Sequence, residues 1–438
     1  MPLRIAAIID RVRSSFFLVP MLFVIAGVLL GELGITIDEA VNDQAGDLPL
    51  RLTTTVASAR VVLSVVAGAT ITFASISFSV SLLIISLTSS QYSPRVVHGL
   101  FRDPYNKRVI GIVVGTFAYC LVVIRAVRGP LEEGGTPVVP SLSTGLAVAL
   151  GLIAILSIVA FINHSAHSMD ISRILHRITS ETIEQAERLW TLNDEAVLAE
   201  DAGDPGDLPT DDGFVISLGD TGWIQQLDID ALLEIVEDGG TLQVEINAGR
   251  YAMEDMPLCT IWPPPVDPDA AAHRARDAVQ IGESRTMQQD VTYGIRQLAD
   301  VALKALSPGV NDPTTAQDAL FHLGSVVHEL LIRRPPEAQQ TPSGGRVLLL
   351  PQRVTHEEVI GLAFDEVRIA AIGQPTVCIY LLGVLHYLLE SVTARRLADT
   401  SALLRRQAEL VVAGSHQAGL LESDRERIEA MYESKFNS

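Results

Sequence analysis

The run His164-Ser165-Ala166-His167-Ser168-Met169-Asp170 sets two imidazoles one helical turn apart, with a carboxylate three residues further on. Two neutral imidazoles and a carboxylate can hold a divalent metal. The same residues also suit a polar collar where an apolar helix leaves a bilayer, and both readings stay open. A second cluster lies downstream, where Asp290, Arg296, Asp300 and Lys304 fall on a predicted helix and Arg296 has the i,i+4 spacing of an ion pair with Asp300. Ser307-Pro308-Gly309 then stops that helix, Asp312 is placed to cap the next, and Pro313 suits its first turn. The cluster is either a capped helical hairpin with internal ion pairs or a ligand site made by Asn311, Asp312 and the charged helix. A third set is uncharged. Ser64, Thr72, Ser75, Ser79 and Ser86, with Gly68, fall in one stripe at 100° per residue, and Thr70, Ala74, Ser77, Ser81 and Thr88 form a stripe roughly opposite. Such hydroxyls either let helices approach and hydrogen-bond or line a water-filled path without charges. No Ser-His-Asp arrangement, HExxH, P-loop or GxSxG pattern occurs, so no catalytic residue is assigned and a divalent metal is the single cofactor candidate.

The elements that carry these residues divide the chain. The 438 residues have a mean hydropathy of +0.31, and the apolar residues are concentrated. Four stretches are long enough for a hydrocarbon core: about 16–37, 61–88, 109–127 and 138–163. The second carries the hydroxyl stripes, and a sector with Val62, Phe73, Ile76, Val80, Leu83 and Leu87 is its expected lipid face. Net charge is +2 through Asn163 and −22 from His164 onward, so a membrane domain (1–163) precedes an acidic soluble part. No basic footprint exists to neutralise phosphates, which excludes a nucleic-acid partner. Arg and Lys are enriched before the first span, between the second and third, and after the fourth, which predicts cytoplasmic N- and C-termini. Cys120, Cys259 and Cys378 lie far apart and fit a reducing compartment.

Beyond the spans, 164–193 is a predicted connecting helix continuing to about Trp190. An acidic β-rich unit (194–266) follows, then a helical domain (267–438). Strands are expected at Phe214–Leu218, Trp223–Leu227, Thr241–Ile246 and Pro257–Trp262, with another at Arg346–Leu350. Helices are expected at about 270–283, 287–306, 313–333, 355–371, 375–396, 398–418 and 422–434. Val377–Leu389 reads as a core helix, too short and too polar to span. The turn-rich run Val244–Ile261 resembles barrel-sandwich modules such as biotinyl and lipoyl domains, in shape only, because it presents no Lys for modification.

Several motifs recur in order along the chain: Ser77-Phe78-Ser79, Ser90-Gln91-Tyr92-Ser93-Pro94-Arg95, Gly219-Asp220-Thr221-Gly222-Trp223-Ile224-Gln225, and Ala305-Leu306-Ser307-Pro308-Gly309-Val310-Asn311-Asp312-Pro313-Thr314-Thr315-Ala316. With these the chain resembles the bacterial membrane-protein family known as domain of unknown function 2254. Family members often carry adjacent histidines near the end of the fourth span, where this chain has Asn163-His164. The resemblance implies an architecture and no established activity. The expected fold is a mainly α membrane protein: four transmembrane helices, then an α+β cytoplasmic domain with a small barrel-sandwich-like unit and a helical C-terminal part. The first functional expectation is a homo-oligomeric channel or channel-like transport protein of the bacterial inner membrane, passing small ions or solutes, with a cytoplasmic regulatory domain. A membrane-anchored scaffold or sensor is the alternative, and a metal-dependent membrane enzyme the third reading.

Overall fold

In a computed structural model the described residues are 17–44, 55–91, 95, 104–127, 140–168, 170–192, 212–335, 337–340, 344–351, 354–395 and 397–436; the side chains of 41–44, 88–91 and 166–168 are not among what is described. The motif residues 90–94, apart from the backbone of Ser90 and Gln91, and the acidic stretch 194–211 therefore lie outside it. The chain divides into two compact units, one formed mainly by residues 8–170 and the other mainly by 171–438.

The first unit consists, among the described residues, of α1 (Leu18–Gln44), α2 (Val56–Gln91), α3 (Pro104–Ala126) and α4 (Ser141–Ser168). Each is long and apolar enough to cross a membrane. In hydrocarbon a helix satisfies its own backbone groups, so an apolar run of this length has few other folded options. α1 and α3 approach most closely through glycines. A side chain at Gly27 would collide with the Gly115 carbonyl, and one at Gly115 with the Phe23 carbonyl. Small residues at such a crossing bring two backbones into van der Waals contact. α2 packs by one face in two layers. Ala59, Leu63 and Ala67 join Tyr119, Cys120 and Val123 of α3 and Ala147 of α4. Phe73, Ala74 and Val80 lie against Val109 and Val113 of α3 and Ala154, Ile158 and Phe161 of α4.

The second unit begins with α5 (Ile171–Leu189). The expected uninterrupted helix from the fourth span to Trp190 is corrected: α4 ends at Ser168 and α5 starts at Ile171, so Asp170 lies in the break. The strands are β1 (Thr191–Leu192), β2 (Phe214–Ser217), β3 (Gly222–Leu227), β4 (Thr241–Val244), β5 (Tyr251–Ala252), β6 (Pro257–Trp262), β7 (Val279–Gly282), β8 (Arg333–Arg334), β9 (Gln339–Gln340) and β10 (Val347–Leu349). Two short helices, α6 (Ile229–Leu233) and α7 (Pro268–Asp277), fall among them. A five-stranded sheet runs β2-β6-β4-β10-β9 and a three-stranded one β5-β3-β7. Their core includes Ile216, Ile224, Leu232, Leu242, Leu258 and Ile261.

The helix expected over 270–283 ends at Asp277, and Val279–Gly282 becomes β7, antiparallel to β3. The reason lies in alternation: Val279 and Ile281 pack against the sheet core, a period-two pattern a helix cannot serve. β10 joins the five-stranded sheet parallel to β4, more than a hundred residues upstream. β7 and β10 thus come from beyond residue 266.

The remaining helices are α8 (Val291–Leu306), α9 (Pro313–Leu331), α10 (His356–Ala371), α11 (Pro375–Ala394), α12 (Ala398–Gln417) and α13 (Glu422–Phe436). α8 begins at Val291, not at 287, because Asp290 caps it by accepting from the Thr292 amide at 3.1 Å. α5 lies on α8 and α9, and no side chain fits at Gly294, where Thr182 Oγ1 meets the α8 backbone. α11 spans 20 residues and is also long and apolar enough to cross a membrane, so the expectation that this run is too short is corrected. It buries Val377, Leu381, Leu385 and Leu388 and packs on α9, α12 and α13.

Candidate functional site

α2 is built from β-branched and small residues that helix-forming lipid surroundings tolerate, and its periodicity sorts them by face. All five hydroxyls proposed for a water-facing wall, Ser64, Thr72, Ser75, Ser79 and Ser86, are exposed, as is Gly68. The opposite stripe is covered where its side chains are described: Thr70 and Ser77 are buried, Ala74 and Ser81 are half-buried, and the Thr88 side chain lies outside the described residues. From Ser64 to Ser86 the exposed stripe is about 33 Å long at 1.5 Å per residue, close to the thickness of a hydrocarbon core. Thr72 Oγ1 donates to the Gly68 carbonyl at 2.8 Å, and Ser79 Oγ to the Ser75 carbonyl at 2.9 Å. These back-bonds lower the cost of a hydroxyl in an apolar medium while leaving its lone pairs outward. Of the expected lipid face, Ile76 and Leu83 are exposed, but Val62, Phe73, Val80 and Leu87 are half-buried; Phe73 and Val80 pack on α3 and α4, so that expectation is corrected for them.

One end of this unit carries a polar lock. Asp38 of α1 is buried, and its carboxylate accepts from the Leu142 amide at 3.0 Å, the Ser143 amide at 2.9 Å and Ser143 Oγ at 2.6 Å. It thereby caps α4 from another helix, where the helix dipole favours negative charge. Tyr119 of α3 donates to the Ser143 carbonyl at 2.9 Å. Nearby, Arg125 pairs with Glu32 at 2.6 Å, and Arg60 donates to the Val127 carbonyl at 3.0 Å. Sequence reading missed Asp38. The signal was an acid near the end of one span and a Ser-rich start to another with no acid of its own.

Among the described residues no group of three or more His, Cys, Asp or Glu side chains could hold a metal, and the histidine cluster is only partly among those residues. The His164 ring lies tilted at 39° to that of Tyr105 with centroids 4.4 Å apart, Asp170 is exposed in the break after α4, and the His167 side chain lies outside the described residues.

The charged signature is spread along α8. At its start Asp290 receives Arg285 Nε at 2.5 Å and Thr292 Oγ1 at 2.7 Å, and Arg285 lies over the Tyr293 ring at 5.3 Å. Gly249, with φ +82°, presses its backbone on the Asp290 carboxylate, a fit closed to any side chain. Midway, Arg296 pairs with Asp300 at 2.9 Å, as the spacing predicts, and with Glu366 of α10 at 2.6 Å. The Glu366 bond holds the guanidinium above its ordinary pKa. At the far end Asn311 (φ +49°) accepts from Gln374 Nε2 at 2.9 Å. Asp312 caps α9, accepting from the Thr315 amide at 3.1 Å and Thr315 Oγ1 at 2.6 Å, and these bonds hold its carboxyl below the usual range. About 24 Å of helix separates Asp290 from Asn311 at 1.5 Å per residue. The five signature residues thus serve as caps, an ion pair and an amide hydrogen bond at three levels, not as one converging pocket.

Burial pushes the Cys259 thiol up to about 12, so it is not primed as a nucleophile.

A family model described as "Predicted membrane protein (DUF2254)" matches residues 13–387. An uncharacterized protein of Mycobacterium bovis is 28% identical over 428 residues, covering 96% of this chain and 80% of the relative. An uncharacterized protein of Mycobacterium tuberculosis matches with the same identity and coverage. No solved structure matches.

Proposed function

Because the chain belongs to the family of predicted membrane proteins designated DUF2254, we propose that it is a homo-oligomeric, channel-like transport protein of the bacterial inner membrane with a cytoplasmic regulatory domain. The observation that carries this reading is the exposed hydroxyl face of α2. Ser64, Thr72, Ser75, Ser79 and Ser86 lie uncovered along one bilayer-length stripe while the opposite hydroxyls pack inside the unit. Copies of the chain meeting around that stripe would give a wall of uncharged oxygens, which selects weakly among small ions and solutes. The −22 charge beyond His164 supports cations, since an acidic domain raises their local concentration. Basic residues in the loops assigned to the inner side support cytoplasmic termini.

Purified protein reconstituted into liposomes tests this directly by cation flux and single-channel current. Flux that falls at least about tenfold in a Ser75→Leu/Ser79→Leu variant of unchanged oligomeric state is the expected result, because apolar side chains dewet a narrow path. Folded oligomers that pass no ion or small solute overturn it.

A scaffold or sensor role has its own supporting observation. Phe321 of α9 and Tyr380 of α11 are exposed and packed edge to face at 5.4 Å, with exposed Tyr387 on the same helix as Tyr380. Exposed aromatics of this kind are favoured in protein contacts.

A further inference from the structure

We infer that α2, α3 and α4 enclose a hydrated cavity within a single copy, on the face of α2 opposite the stripe used above. The inference does not depend on the proposed transport role. Several hydroxyls of α2 are satisfied by their own helix: Thr70, Thr72, Ser79 and Ser81 each donate to a carbonyl three or four residues back. Ser77 does not. It is 1% exposed, and its Oγ has no hydrogen-bond partner. Ser165 of α4, 2% exposed, is in the same condition, as is Oδ1 of Asn106 on α3.

The residues that carry these three atoms all flank one cluster. Ser77 falls in the middle of the sector that holds Phe73, Ala74 and Val80, which pack on α3 and α4. Ser165 is one turn beyond Phe161, on the sector of Ala154 and Ile158 that faces the same cluster. Asn106 follows Tyr105, which packs into that cluster and meets the ring of His164, the neighbour of Ser165. Lys107, also buried, is the nearest cation along the chain.

A buried oxygen left without a partner is costly, and lipid offers no donor or acceptor to relieve it. Two hydroxyls and an amide oxygen supply the two to four polar partners that an internal water uses. The ligand class is therefore water, held where α2 packs through side chains alone.

The test uses the full-length protein in proteoliposomes and radiolytic hydroxyl-radical footprinting read by mass spectrometry, because radicals formed from an enclosed water reach side chains that no bulk reagent can. Phe161, itself 1% exposed, should be oxidised, and its oxidation should fall about fivefold or more in a Ser77→Val/Ser165→Val variant, which removes two of the water's partners. An unlabelled Phe161, or oxidation unchanged in that variant, overturns the cavity. If the variant fails to assemble, the labelling of Phe161 in the unmodified chain decides. Either result leaves the transport reading intact, since that reading rests on the opposite face of α2 and is read by flux.

Discussion

Asp38 closes the N-terminus of α4 from across the bundle, its Oδ2 accepting from both the amide and the hydroxyl of Ser143 at 2.9 and 2.6 Å. The Ser143 carbonyl is held in turn by the Tyr119 hydroxyl. One residue at the mouth of α4 thus ties α1 and α3 to it.

Asp38→Ala should lower the stability of the detergent-solubilised protein by about 2–3 kcal/mol, the loss of a cap and of charge-assisted bonds at a buried helix end. Tyr119→Phe should cost about 1 kcal/mol, for one neutral hydrogen bond. Both act on Ser143, so the double variant should fall short of or exceed the sum, by at least about 0.5 kcal/mol. Thermal unfolding of the four proteins in one detergent checks this, and strict additivity refutes the shared lock.

Gly115→Val should separate α1 from α3, because the nearest obstacle to a side chain there is the backbone carbonyl of Phe23, which cannot step aside as a flexible side chain could. A loss of about 3 kcal/mol or failure to accumulate in the membrane is expected, as for overpacking at a close contact. Gly68→Ala, in open space on the exposed face of α2, is the control and should be tolerated within about 0.5 kcal/mol.

Asp290→Ala removes the α8 cap and strands Arg285, so the 171–438 unit should lose about 2–4 kcal/mol, more than a cap alone. Asp290→Asn should recover part of this by keeping the cap. Urea unfolding followed by tryptophan fluorescence reads the second unit, since Trp190, Trp223 and Trp262 all belong to it. Equal loss in both variants would show that the ion pair, not the cap, carries the effect.

Acid should weaken the second unit in two stages. Burial holds the His322, His328 and His356 imidazoles below their ordinary value of about 6.5. The unfolded chain then binds protons more readily, so this stability is complete above about 6.5 and is lost as pH falls through the folded values below it. Asp312 has the same sign lower down: its carboxyl is depressed, so its contribution is complete above about 3.8 and drains as pH falls further. Stability measured from pH 8 to pH 3 should decline in that order, and His356→Gln should flatten the first stage. A profile that rises on acidification below pH 6.5 contradicts the assignment.

Much of this protein follows from near neighbours in the chain. Apolar length marked α1 to α4, because a bilayer-length run of Val, Ile and Leu has no soluble alternative at that hydropathy. Strand alternation placed β2, β3, β4 and β6. Asp312 and Pro313 announced a cap that acts within its own turn, and Arg296–Asp300 a pair that spans one turn. What sequence left open was every choice between faces and every partner far along the chain. Two hydroxyl stripes on α2 look alike to a periodicity argument; only the packing of α3 and α4 buries Ser77 and leaves Ser75 uncovered. The arrival of β10 beside β4 and the reach of Asp38 to Ser143 depend on segments that meet only after folding. Local pattern sets what each segment can become, because dihedral and desolvation preferences act within a few residues. Which surface is buried, and what a buried acid binds, is decided by packing, because those energies exist only once distant segments share a solvent-excluded space.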